Sequence, residues 1–352
     1  MKALIFENVG KFIIEEIPEV ELFGPSWVKV KVQAVGICGT DLHKFFYESP
    51  PAEYLKTKIL GHEIAGLVAE CGDEVKGFAV GNRVAIEPLL PCTRCTQCRR
   101  GRYQLCPDLQ CIGRDLPGGF AEYVCARQDQ LYLLPPHVSF AEGSLIDPVA
   151  VAVHCIHSLD LNKRNWSVAI VGDGPIGLIC LQVMKAFGAG SVTLFGKYKY
   201  RLKLASNLGA SEAVLLTHDN SKLESFKERF DVVIEAVGGR QSKTLRSCIN
   251  LVAPGGVVVV LGVFDFDFLG SLHFRQMFFK EARILGSNSY STWERVREFE
   301  TAKHLVADGL VDVKQLVTHK LSLDQFYEGF TLTRKKNETR VIKVIFEPCT
   351  AL

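Results

Sequence analysis

The sequence predicts an α/β chain of two domains, one β-rich and barrel-like, the other a doubly wound parallel sheet. Three observations carry that expectation. At 352 residues the chain exceeds one ordinary hydrophobic core. Its amino-terminal part joins short alternating runs with dense glycine and proline. Its central part alternates apolar strand-like runs with helix-period segments, the order a parallel sheet needs.

Taken in order, Trp27 to Val35 has the two-residue period of a strand with one buried face, in the run V-K-V-K-V-Q-A-V. Short strands are expected at Ile64–Ala69 and Arg83–Ile86, between turns marked by Gly36, Gly39, Gly61, Gly66, Gly72, Gly77, Gly81, Pro88 and Pro91. The texture changes near Pro148, where V-A-V-A-V-H-C-I-H-S-L reads as a helix. Strands then follow at Ser167–Val171, Ser191–Phe195, Val214–Leu216, Asp231–Ala236 and Val257–Gly262. A helix from Trp293 to Ala307 and a final V-I-K-V-I-F strand are expected to rejoin the first domain. The expected bounds are 1–148 with 290–352 for the β-rich domain and 149–289 for the parallel sheet, an insertion with a cleft beside it.

Formal charge is only +2 and is spread along the chain, which argues against a nucleic-acid or anionic-membrane partner. Arg99, Arg100 and Arg102 form a local basic cluster that reads as solvated side chains. The start M-K-A-L-I-F-E-N-V lacks a signal-peptide core, and no apolar run reaches the ~18–20 residues that span a bilayer. A soluble, cytoplasmic protein is expected.

Cys92, Cys95, Cys98 and Cys106 follow a C-x2-C-x2-C-x7-C spacing. Such steps turn sulfurs inward from one loop, and Gly101 helps the longer return bring back the fourth. Four thiolates leave no open position, so a structural zinc is expected over a lobe at 88–110; the alternative is two disulfides.

The strand Ser167–Val171 runs into Gly172, Gly174, Pro175, Ile176 and Gly177 and then a helix, matching G-x-G-x-x-G in its strand–turn–helix setting. These residues are expected to hold a dinucleotide pyrophosphate at the helix amino terminus. About 20 residues on, where an acidic residue would bind the ribose 2′-hydroxyl, stands Gly196, followed by Lys197 and Arg201. The expectation is NADP(H) over NAD(H), with Lys197 and Arg201 on the 2′-phosphate; a solvated basic helix start is the alternative.

G-I-C-G-T-D-L-H from Gly36, G-H-E from Gly61, the four-cysteine lobe, G-G-F-A-E-Y and G-D-G-P-I-G, in that order, resemble the zinc-dependent medium-chain alcohol and polyol dehydrogenases along essentially the whole chain. The likeness is strongest to the branch with sorbitol, threonine and sugar-alcohol-phosphate dehydrogenases. It implies a GroES-like catalytic domain and a Rossmann cofactor domain. It also implies two zinc ions per subunit, one catalytic and one structural, and a homodimer or homotetramer acting on a small alcohol or ketone. Cys38 and His62 take the places of catalytic-zinc ligands; Glu63 matches a glutamate that is a ligand or lies close behind the metal. Asp147 falls where relatives carry a third ligand, although Asp before Pro148 is also how a helix begins. Thr40 would take the substrate proton and His43 pass it outward. Glu235, Val237 and Gly262, at strand ends, would border the cofactor. Trp293, Phe45 and Tyr54 are candidates for the substrate pocket, whereas His154 and His157 read as packing or surface residues.

The implied reaction is reversible oxidation of a secondary alcohol to a ketone. The stretch Asn288-Ser289-Tyr290-Ser291-Thr292-Trp293 departs from the Arg–Tyr pair that precedes N-T-W in similar polyol enzymes, which weakens sorbitol and leaves a sugar-alcohol phosphate or amino alcohol open. The alternatives are an NAD-dependent polyol or threonine-type dehydrogenase and a zinc-independent reductase of the same architecture. From another class, a zinc-ribbon binding module would leave the glycine fingerprint and Cys38/His62 unexplained.

Overall fold

The computed structural model describes residues 1–47, 55–159, 165–216, 221–241, 243–265 and 268–349. The chain divides into two compact units, one of Met1–Ala150, Ser291–Gly309 and Val313–Leu352, the other of Val151–Tyr290 with Leu310–Asp312.

In the first unit the strand Trp27–Gly36 is the organiser. Its alternation places Val28, Val30, Val32 and Ala34 fully inside. One side pairs antiparallel with Glu63–Cys71. The other is shared: residues 27–31 pair with Tyr123–Arg127, and Val35 and Gly36 pair with Phe346 and Ile345 of the strand Lys343–Phe346. The sheet continues through Arg83–Ile86 to Leu131–Leu133 at one end and Val317–Leu321 at the other. An aromatic cluster fills its core, with Phe45 stacked on Phe330 at 4.5 Å and Phe120 edge-on to Phe346 at 5.6 Å. Phe45, a pocket candidate by sequence, is therefore a core residue, 4% exposed. Tyr54 lies outside the described residues.

The helix expected from Trp293 begins at Glu298. Thr292–Trp293 and Val296–Arg297 form a hairpin instead, with Trp293 paired to Val296. Glu294 and Arg295 between them have φ of 47° and 70°, the pair of positive values that a two-residue hairpin turn demands and a helix forbids.

The second unit is a six-stranded parallel sheet in the order Glu212–Leu215, Ser191–Gly196, Ser167–Val171, Phe230–Glu235, Val252–Val260, Arg283–Gly286. The chain starts in the middle, moves to one edge, then crosses over and builds the other half. That reversal beside Ser167–Val171 is the switch point at which such sheets bind ligands. The strand Ser167–Val171 is buried on both faces, as its unbroken apolar run requires.

The helix Pro175–Ala186 packs back on its own sheet through Gly177, where a Cβ would come within 1.9 Å of the Gly172 carbonyl oxygen. Gly177→Ala should therefore lower unfolding free energy by about 1–3 kcal/mol. Gly174→Ala, whose Cβ would meet nothing within 4 Å, should stay within ~1 kcal/mol. Urea denaturation of the two variants checks this, and equal midpoints would refute it.

Candidate metal and cofactor sites

Cys38 ends the turn after Trp27–Gly36 and starts the helix Gly39–Phe46; its backbone N–H is capped by Asp41 at 3.0 Å. His62 and Glu63 stand where the paired strand Glu63–Cys71 begins. Because these strands are neighbours in register, with Gly36 opposite Glu63, three donors of different chemistry meet. The Cys38 sulfur, a His62 ring nitrogen and a Glu63 oxygen all lie within 4.8 Å of one another.

Acidic groups surround the His62 ring. Loss of hydration pulls the His62 pKa down, but the Cys38 thiolate, Asp41 and Asp147 outweigh it and hold the imidazole well above the ordinary histidine range. A half-buried sulfur and imidazole beside a buried carboxylate is a donor set that fits a zinc ion. Asp147 is buried in the first turn of the helix Ile146–His157. It acts on His62 through its charge but does not belong to the three-donor cluster.

Glu63 is anchored from behind by Lys343. The ammonium donates to Glu63 Oε1 at 2.7 Å and to the Ile37 carbonyl at 2.8 Å, and lies 2.5 Å from Glu63 Oε2. Gly36 makes room, since a Cβ there would come to 2.0 Å of Glu63 Oε2. Lys343 escaped the sequence reading, although a lone lysine inside V-I-K-V-I-F was a signal: a buried ammonium needs a carboxylate partner.

Thr40 and His43 are both half-buried on the helix Gly39–Phe46, three residues apart and so on one face. His157 packs edge-on against Phe187 at 5.3 Å, away from any metal-competent cluster among the described residues. Trp293 is 46% exposed on its hairpin.

The second cluster joins Cys92, Cys95, Cys98 and Cys106, whose sulfurs all lie within 4.8 Å of one another. Cys95 and Cys98 sulfurs are 3.5 Å apart, Cys92 and Cys98 4.0 Å. Tetrahedral zinc with four thiolates requires sulfurs about 3.8 Å apart, whereas a disulfide requires ~2.05 Å; all twelve cysteines are free. Backbone amides of Arg94 and Cys95 lower the Cys92 pKa to about 7, favouring its thiolate. Arg99, Arg100 and Arg102 are exposed. The lobe is fastened to its own unit by the Thr292 N–H bond to the Gly101 carbonyl at 2.9 Å, and by Arg297, which lies over the Tyr103 ring and pairs with buried Glu87 at 3.1 Å.

In the parallel-sheet unit Gly172 has φ of 130°, and Gly174 begins the helix without a side-chain cap. The first N–H groups of Pro175–Ala186 are thus left for an anion, and open space in front of Gly174 admits one. Val237 is 48% exposed at this end of the sheet. Glu235 turns inward and braces the loop, accepting from Thr244 Oγ1 at 2.6 Å and from the Gly238 N–H at 3.2 Å; burial pushes its carboxyl up. Gly262 fits against that carboxylate, 2.4 Å from where its Cβ would stand.

Of the expected phosphate partners, Lys197 is exposed and Arg201 is not. Arg201 is 3% exposed, donates to Tyr200 Oη at 2.9 Å and lies over the Tyr198 ring at 4.9 Å. Cation–π contact and Asp173, 3.9 Å away, hold it inward. The acidic residue inside the glycine fingerprint went unread in the sequence.

Two family models match in chain order: an alcohol dehydrogenase GroES-like domain over residues 24–136 and a zinc-binding dehydrogenase over residues 175–308. The sorbitol dehydrogenase of Bacillus subtilis (strain 168) is 33% identical over 99% of this chain and 97% of its own. The L-threonine 3-dehydrogenase of Xanthomonas campestris pv. campestris (strain B100) is 32% identical over 97% and 99%. Among solved structures, a zinc-binding dehydrogenase from Sinorhizobium meliloti 1021 bound to NADP superposes with a TM-score of 0.86 at 31% identity, covering 99% of both chains. The chain belongs to the zinc-dependent medium-chain alcohol and polyol dehydrogenases, enzymes that act on CH–OH groups.

Proposed function

We propose that the protein reversibly oxidises a secondary alcohol, a polyol, sugar alcohol or related hydroxy compound, to a ketone. NADP(H) is preferred over NAD(H), and each chain holds one catalytic and one structural zinc. The convergence of Cys38, His62 and Glu63 carries this reading. Held by these three residues, zinc would supply the Lewis acidity that lowers the pKa of an alcohol hydroxyl, and the nicotinamide would accept hydride. Asp147 stands outside the donor set, so Glu63 is the carboxylate we assign to the metal.

The chain's own residues manage the proton. Thr40 Oγ1 accepts it from the substrate hydroxyl, and His43, on the same helical face, passes it to water. Lys343 keeps the Glu63 carboxylate from swinging out of the cluster. The four-thiolate cage has no vacant coordination position, which suits a structural role.

Sorbitol and threonine, named for two relatives, both carry a secondary hydroxyl beside another polar substituent; that is the substrate class we assign. Exposed Lys197 and the NADP-bound relative support the cofactor choice. A homodimer or homotetramer is supported by the edge strand Arg283–Gly286 and by Phe274, Phe278 and Phe279 beside it, 74%, 77% and 67% exposed. No helix among the described residues is long and apolar enough to cross a membrane, and the free thiols suit the cytosol.

A panel of polyols, sugar-alcohol phosphates and amino alcohols assayed with both cofactors should give higher kcat/KM with NADP; turnover with NAD alone would overturn the cofactor choice. Metal analysis should find two zincs per chain, falling to one in Cys106→Ser with a lower Tm; one zinc in the wild type would remove the catalytic assignment. His43→Ala should slow alcohol oxidation most at low pH, where water is the poorest proton acceptor, and an unaltered pH–rate profile would eliminate the relay.

A further inference from the structure

Asp173 stands between the first two glycines of the fingerprint and is 6% exposed. Its side chain crosses to the end of the neighbouring strand, where Oδ2 accepts the backbone N–H groups of Lys197 at 2.7 Å and Tyr198 at 2.8 Å. Gly196 makes the crossing possible, since a Cβ there would come to 2.5 Å of the carboxylate. Successive backbone N–H groups aimed at one oxygen form an anion nest. This nest lies at the end of the second strand, the place where the 2′ substituent of the adenosine ribose is read.

We propose that Asp173 is a cofactor-discriminating residue: a tethered carboxylate that fills the nest a 2′-phosphate would need and accepts a hydrogen bond from a 2′-hydroxyl. The inference rests on reading this turn as a dinucleotide site. Gly196 removes the acid that usually ends this strand, and Asp173 returns a carboxylate to the same spot from the opposite side. A 2′-phosphate must displace it, breaking two charge-assisted bonds, or bind beside it against like charge. Lys197 acts in the opposite sense, as an exposed cation that attracts the phosphate. Arg201 lies 3.9 Å from Asp173 Oδ1, and a phosphate that evicts the carboxylate gains this guanidinium as a partner. The preference for NADP is the difference between these pulls, and Asp173 is the part that opposes it.

Isothermal titration of the wild type, Asp173→Asn and Asp173→Ser with adenosine 2′,5′-bisphosphate and with 5′-AMP separates the two effects. Asparagine keeps an acceptor for the loop and loses the charge; serine is shorter, so it vacates the nest. Both variants should raise the affinity ratio of bisphosphate to AMP by roughly tenfold or more, with matching far-UV circular dichroism. An unchanged ratio in both, with both fragments still binding, overturns the role of Asp173 and leaves the dinucleotide reading intact. Failure of both fragments to bind the wild type overturns that reading and this inference together.

Discussion

A lysine and a glutamate buried against each other hold the metal-competent corner in place. Lys343 is 4% exposed and Glu63 2%, so neither charge is hydrated and each depends on the other. Removing one partner of such a pair costs about 3–5 kcal/mol, because the survivor is left uncompensated. The ammonium also binds the Ile37 carbonyl, one residue before Cys38, so one cation fixes the side chain of one donor and the backbone beside another. It arrives on the strand Lys343–Phe346, near the carboxyl end, which is why the tail must return to the amino-terminal sheet for the cluster to exist.

Close approach is the second constraint, and glycine is its instrument in both units. At Gly36 the absent Cβ leaves room for the Glu63 carboxylate; at Gly196 it leaves room for that of Asp173. In each case a charged side chain lies across a neighbouring strand's backbone and takes a fixed direction from it. The fingerprint glycines work differently. Gly177 sets how near the helix lies to its strand, and Gly174 keeps space clear for a ligand. These four glycines therefore report either what lies against them or what space is kept clear.

Sequence reasoning read periodicity well and side-chain direction poorly. The strand Trp27–Gly36 and the parallel sheet were legible because an alternating or unbroken apolar run has few other folded solutions. The start of the helix at Glu298 was not, since helix-forming residues at 294 and 295 take left-handed conformations that their identity does not advertise. The two cysteine-bearing clusters were visible through spacing and motif, whereas Lys343 lies 280 residues from its partner and only the fold brings them together. Arg201, expected at the phosphate from its charge and position, is buried in a setting that only the fold supplies. Its burial depends on Tyr198, Tyr200 and Asp173 surrounding it, a property of three dimensions.

The two donor clusters differ in composition, and the same metal would do different work in each. Four thiolates within 4.8 Å of one another would satisfy a tetrahedral ion completely, so all that cage could do is hold its loop. Its value is mechanical: Gly101 and Tyr103 inside the loop contact Thr292 and Arg297, which lie almost two hundred positions later in the chain. A thiolate, an imidazole and one carboxylate leave a tetrahedral position open, and an open position is where a substrate oxygen can enter. Charge points the same way. Backbone amides favour the thiolate at Cys92 while burial pushes Cys98 and Cys106 up, whereas the three-donor cluster gathers Asp41 and Asp147 around His62. Zinc held by Cys38, His62 and Glu63 would be retained in part by those neighbouring carboxylates.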